Sequence, residues 1–227
     1  MSMHAHSQTN STALARIGRV SPPQSQDHSD QIEMMGVIMP FARNAEIYGE
    51  DEPADYLYKV VSGAVRTYKI LADGRRQIGA FYLPGDVFGL EMGSAHTFSS
   101  EAIANSKVLV IKRSSVATLA ASNNSVAQQL WTITARELRR VEERLMLLIK
   151  TAEERVAGFL LEMIKRSNDT GTVELPMSRQ DIADYLGLTI ETVSRTMTQL
   201  EHSAAIALPS SRRVVIRNRS ALNRLNG

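Results

Sequence analysis

Between Ser178 and Ser203 the chain reads SRQDIADYLGLTIETVSRTMTQLEHS, a stretch that few folds accommodate. Helical spacing divides it into two short helices around Gly187. Ser178 is a candidate N-cap with Asp181 as its reciprocal partner three residues on. Ile182 and Leu186 supply a buried stripe, and Gly187 is the residue type that ends a helix in a left-handed conformation. Thr189 can cap the second helix, whose Val193, Met197 and Leu200 share one face. That choice turns Glu191, Ser194, Arg195 and Thr198 outward together. Arginine is a bidentate donor to guanine, glutamate accepts from cytosine N4, and serine bonds to several base edges. The pattern reads as a helix-turn-helix with a recognition helix. An ordinary pair of packed helices with a solvated outer face has the same spacing.

The next segment favours the first reading. Ile206-Ala207-Leu208 and Val214-Val215-Ile216 flank Pro209-Ser210-Ser211-Arg212-Arg213, a small hairpin with arginines at its tip. Such a wing would carry Arg212 and Arg213 to a phosphate backbone. From Leu208 to Gly227 there are five arginines (212, 213, 217, 219 and 224) and no acid, a local basic patch on a chain of net charge only +2.

The 227 residues allow one or two domains with full cores. There is no cysteine, hence no disulfide, no thiolate zinc site, no cysteine-ligated iron–sulfur cluster and no thiol nucleophile. That absence fits a reducing cytoplasm, and no apolar run reaches the length of a membrane span. The first thirty residues are polar and are expected to be a disordered arm; His4 and His6 there are incomplete as a metal site. No metal and no cofactor is expected.

Strands are expected from about Glu46 to Arg113. Tyr56 to Val61 is one. Ala64 to Ile70 is a second, with Ala64, Tyr68 and Ile70 on one face and Arg66 interrupting the apolar pattern. Asp73-Gly74 marks a hairpin whose partner strand runs from Gln77 to Leu83. Val87-Phe88-Gly89 follows the break at Pro84-Gly85-Asp86, and Val108 to Ile111 is a short buried strand. Many short strands between glycine turns suggest an antiparallel barrel, closed or nearly so. A long helix follows. Its Ala127, Trp131, Thr134, Leu138, Val141, Leu145 and Leu148 are spaced as heptads, a seam for a second copy or for the barrel. A further helix is expected from Glu153 to Lys165, a linker from Arg166 to Gly171 and a short strand at Thr172–Leu175. The architecture is α+β: a disordered arm at 1–30, a β-roll domain at 31–120, a dimerisation helix at 121–150 and a winged helix-turn-helix at 151–227.

In that order these parts resemble the Crp/Fnr superfamily of bacterial transcription factors, and most of all its FixK-type group. The resemblance is carried by YKVVSGAVRTYKILADGRRQIGAFYLPGDVFGLE (Tyr58 to Glu91) and LPMSRQDIADYLGLTIETVSRTMTQLE (Leu175 to Glu201), and it spans Ile38 to Asn218. It implies a jelly-roll barrel like that of cyclic-nucleotide-binding domains, and a homodimer on double-stranded DNA. It further implies recruitment of RNA polymerase and control of low-oxygen, respiratory or nitrogen-fixation genes. Glu191, Ser194 and Arg195 match the family's E-x-x-S-R pattern, which implies a TTGAT…ATCAA-type palindrome, with Ile190 beside a neighbouring thymine. Ser178, Arg179, Gln180, Thr189 and Thr192 stand where relatives grip phosphates. Two departures bear on control. Nucleotide-sensing relatives hold the ribose and cyclic phosphate through F-G-E and R-S-A motifs, whereas here Phe88-Gly89-Leu90-Glu91 is followed by Phe98-Ser99-Ser100-Glu101-Ala102 without an arginine. A phosphate facing Glu101 without a cation would be repelled, so cyclic-nucleotide binding is not expected. In FixK-type relatives a cysteine often stands in place of Ser178, and serine removes any thiol switch there.

Two alternatives remain at this point: a cyclic-nucleotide-responsive regulator of the same architecture, and an enzyme with a regulatory barrel. Against the enzyme, the chain has no Walker loop, no G-x-S-x-G and no H-E-x-x-H, and its histidines have no ligand or triad spacing.

Overall fold

Strand β4 (Val65–Ile70) is buried on both faces over Val65, Arg66 and Thr67, and this explains its irregular alternation. In the computed structural model, which describes residues 32–167 and 171–226, two four-stranded antiparallel sheets form the N-terminal part. One runs β1 (Val37–Phe41), β8 (Ser106–Lys112), β3 (Tyr56–Ser62), β6 (Val87–Phe88); the other runs β2 (Glu46–Tyr48), β7 (Ser99–Ala102), β4, β5 (Arg76–Tyr82). They make a jelly-roll-like β-roll of two sheets rather than one closed barrel. Val65 packs inward with Tyr48, Tyr58, Val60, Phe88 and Val108. Ala64, Ile78, Phe81 and Ile103 instead join the core of the C-terminal part. One side of the second sheet thus fills the roll and the other is covered by helices, so neither face is free to be polar. A bulge between Thr67 and Tyr68 shifts the register, and Ile70, expected beside Ala64 and Tyr68 on the apolar face, is 54% exposed. Gly74 turns the hairpin at φ +81°.

Helix α1 (Arg113–Ser122) leads into the long helix α2 (Asn124–Leu145), capped by Asn123. Val116 of α1 and, more loosely, Leu130 of α2 pack on Leu57, Leu109 and Ile111. The α-helix ends at Leu145 and tightens into a 3₁₀ turn, Met146–Ile149, so Leu148 falls beyond the regular heptad spacing; its side chain is outside the described set. Helix α3 (Ala152–Arg166) begins with a reciprocal box between Thr151 and Glu154. Arg166, expected to open a linker, is its last residue, held by Asp86 of the roll. The linker residues 168–170 and the arm at 1–30 with His4 and His6 lie outside the described residues.

Then come β9 (Thr172–Glu174), α4 (Arg179–Leu186), α5 (Ile190–His202), β10 (Ile206–Ala207), β11 (Arg213–Ile216) and α6 (Arg219–Asn226). Sheet order β10-β11-β9 makes the wing antiparallel. Helix α6 has no counterpart in the expectations, which saw only a basic tail. Asn218 opens it, its side chain accepting from Ala221 N at 2.9 Å, and Leu222 is fully buried in the core that includes α3. No described helix is long and apolar enough to cross a membrane.

Candidate nucleic-acid interface

The helix-turn-helix follows from three local devices. Asp181 N donates to Ser178 Oγ at 3.1 Å while Ser178 N donates to Asp181 Oδ2 at 2.8 Å, which closes the box that starts α4. Gly187 ends α4 at φ +65°, a conformation that costs other residues energy. Thr189 Oγ1 then accepts from Thr192 N at 3.2 Å and starts α5. Ile182, Leu186, Val193, Met197 and Leu200 are all buried, each contributing about 1.5–3 kcal/mol relative to exposure.

That burial fixes the opposite face of α5. Glu191, Ser194, Arg195 and Thr198 are exposed along it, and Ile190 is 37% exposed at its start. Among the described residues neither Glu191 nor Arg195 has an ion-pair or hydrogen-bond partner. The acid and the arginine thus stand one turn apart on an exposed face.

The candidate phosphate-facing residues are less uniform. Gln180 is exposed but gives its amide to Asp184 Oδ1 at 2.6 Å. Thr189 is exposed and Thr192 half-buried, their hydroxyls 3.0 Å apart. Ser178 is half-buried, its oxygen used by the cap. Arg179 is half-buried too: burial lowers its pKa, and its Nη1 finds no acceptor among the described residues. In the wing, Arg212 donates to Pro176 O at 2.8 Å, and exposed Arg213 lies 3.7 Å from Glu174. Arg212 therefore also holds the wing to the chain before α4.

The seam of α2 is exposed, and its Val141 and Leu145 also border the space between helix and roll. Ala127 and Thr134 are exposed, Trp131 is 76% exposed, and Leu138, Val141 and Leu145 are each more than half exposed. The flank between them does the packing: Arg140 pairs with Asp86 at 2.5 Å, and Arg144 donates to Ile78 O at 2.6 Å and to Gly79 O. A cleft of about 600 Å³ remains between roll and helix, bounded by Tyr82, Glu91, Glu137, Arg140 and Arg144. Burial raises the pKa values of Tyr82 and Glu137 and lowers that of Arg144. Glu101 does not line this cleft; it pairs with Arg66, which corrects the expectation that it stands without a cation.

Comparison with known proteins agrees with these parts. Residues 38–123 match the cyclic nucleotide-binding domain family, and residues 154–225 match the Crp-like helix-turn-helix domain. The chain is 50% identical over 213 residues to the nitrogen fixation regulation protein FixK of Azorhizobium caulinodans, covering 91% of this chain and 86% of that one. This protein belongs to the FixK-type group of the Crp/Fnr family. Its FixK relative in Rhizobium meliloti is 36% identical, over 89% of this chain and 97% of that one. The solved structure of FixK2 from Bradyrhizobium japonicum superposes with a TM-score of 0.81 at 53% identity, covering 85% of this chain and 98% of that one. In this Crp/Fnr protein, then, the β-roll and the winged helix-turn-helix are the two modules that the family models match, joined by α2. Regulators of this family bind DNA, typically as dimers.

What the sequence missed is how the modules meet. Asp181 and Asp184 of α4 face Arg66 and Arg76 of the roll. Asp86 of the roll faces Arg140 and Arg166. The only trace in the sequence is Arg66 breaking the apolar face of β4.

Proposed function

We propose that this protein is a homodimeric, sequence-specific DNA-binding activator of low-oxygen, respiratory or nitrogen-fixation genes that recruits RNA polymerase in the cytoplasm and catalyses no reaction. The observation that carries the DNA-reading assignment is the exposed, outward trio Glu191, Ser194 and Arg195 on α5. Arg195 reads guanine through its bidentate fork, Glu191 takes the amino group of the paired cytosine, and Ser194 with Ile190 contacts a neighbouring thymine, which fits a TTGAT…ATCAA-type palindrome. Ser178, Arg179, Gln180, Thr189, Thr192, Arg212 and Arg213 hold the phosphates on either side. The exposed seam of α2 is the stem on which two copies pair, setting the two recognition helices about one turn of DNA, roughly 34 Å, apart. The division into a roll at 31–120, a stem at 121–150 and a DNA-binding unit at 151–227 follows the same reading.

Cyclic-nucleotide control is not part of this function. The cleft beside α2 presents Glu91 and Glu137, and its cations are committed: Arg140 to Asp86 and Glu137, Arg144 to two backbone carbonyls. An anionic cyclic phosphate would meet carboxylates without a spare guanidinium. Selection of random-sequence duplexes by the purified protein tests the assignment. Enrichment of a palindrome with TTGAT half-sites is expected, and enrichment of no sequence would overturn it.

A further inference from the structure

The DNA-binding unit meets the roll at two ionic junctions of opposite polarity. At the first, the roll supplies the cations. Arg66 donates to Asp181 and to Glu101, and Arg76 Nη2 lies 2.7 Å from both Asp181 Oδ1 and Asp184 Oδ2. At the second, the roll supplies the carboxylate: Asp86 receives Arg140 of α2 and Arg166 of α3, each at 2.5 Å. Between the junctions the Phe81 ring of the roll packs 5.2 Å from Tyr185 and 6.3 Å from Phe159.

Aromatic packing holds two surfaces together but tolerates sliding. Guanidinium–carboxylate contacts with little solvent, in which each buried group is shared between two partners, do not, because a small displacement leaves a buried charge unpaired. The side chains of Arg66, Asp181 and Asp86 are 10%, 8% and 11% exposed, so both junctions are of this kind. Each step of the path from stem to reading head is made by a named contact. Arg140 ties α2 to Asp86; the roll carries Arg66 and Arg76; Asp181 takes them on Oδ1 while its Oδ2 caps α4. Only Gly187, Leu188 and Thr189 separate α4 from α5, and Leu188 N is bonded to Ala183 O.

We propose that these two junctions fix the angle of α5 to the dimer stem, with Arg66 and Arg76 as positioning residues, so that the protein measures the separation of its two half-sites as well as their bases. The junctions do not touch DNA. Their loss should leave the reading of one half-site intact and relax the demand on spacing. A role in stability alone would weaken binding to every duplex alike.

The test uses the full chain and three duplexes: the palindrome at its selected spacing, the same palindrome with two base pairs inserted, and a single half-site. The wild type is expected to prefer the selected spacing over the insertion by at least about tenfold, since two base pairs rotate and displace one half-site from its reader. Arg76→Gln and Arg66→Met should reduce that preference to about threefold or less, with half-site affinity within about twofold of wild type. Arg76 is the less buried of the pair, so Arg76→Gln decides the matter if Arg66→Met does not fold. Asp86→Asn, at the other junction, should relax spacing in the same way. The proposal rests on the DNA-reading assignment, and the two fail differently. A wild type that binds no half-site overturns both; variants that fold, dimerise and keep the wild-type spacing preference overturn the positioning role alone.

Discussion

The guanidinium of Arg144, on the long helix, lies 4.7 Å from the centre of the Tyr185 ring, in the first helix of the helix-turn-helix. The same side chain donates to Ile78 and Gly79 carbonyls of the roll, so one arginine joins all three parts of the molecule. Arg144→Met keeps the packing stem and strands two carbonyls; a loss of about 1–3 kcal/mol is expected in urea unfolding. Tyr185→Phe retains the ring face and should cost far less.

Arg195→Ala should cost about 1–3 kcal/mol on the selected palindrome and abolish preference for guanine at one position of each half-site. Fluorescence anisotropy on matched and substituted duplexes measures both. The exposure of Arg195 makes unfolding an unsuitable explanation, and an unchanged melting temperature should confirm it. Equal affinity of variant and wild type for both duplexes would refute its role.

Salt dependence separates the two wing arginines. Arg213 is exposed and Arg212 is tied to Pro176 O. If each also meets a phosphate, either alanine variant lowers the slope of log K against log salt by about 0.9. Only Arg212→Ala should in addition lower thermal stability, by about 1 kcal/mol, through the lost bond to Pro176. Titrations between 50 and 200 mM salt, with a thermal melt of each variant, distinguish them.

Leu138 sits mid-seam at 59% exposure and makes the dimer testable without touching the fold. Leu138→Asp places two carboxylates against each other across a paired stem. Sedimentation should show monomers at concentrations where wild type is dimeric, and palindrome affinity should fall at least about tenfold while half-site binding persists.

Acid should loosen α3 from its start. The Glu154 carboxylate accepts from Thr151 N at 2.6 Å, and this bond holds its pKa below the ordinary 4.5. A depressed folded-state pKa means the contribution is complete above about 4.5 and is lost as the pH falls through the folded value. Proton titration of Glu154 by NMR should give a midpoint below that of an exposed glutamate, and Thr151→Pro, which fits the φ of −66° there but removes the donating N–H, should return it toward the ordinary range.

The helix-turn-helix was legible because its signals are local. Ser178, Asp181, Gly187 and Thr189 each act within four residues, and the stripe Val193, Met197, Leu200 has one period. The longer strands β3, β4, β5 and β8 were legible for a similar reason. The strands β1, β2 and β7 were not: β1 contains Pro40 at a sheet edge, and β2 has three residues. Helix α6 was hidden because its arginines drew the eye to charge, although Asn218, Ala221, Leu222 and Leu225 carry a cap and an apolar stripe. The ion pairs between roll and helices join residues more than fifty positions apart, and no periodicity announces such a pairing.

Because Ala64, Ile78, Phe81 and Ile103 of the roll share one continuous core with the helices that follow, the two halves are not separable goods. Excising the last seventy-odd residues would bare the rings of Phe159 and Tyr185 to water, and a sticky fragment would result in place of a miniature repressor. A break in the chain near residue 150 would therefore leave apolar surface on both pieces.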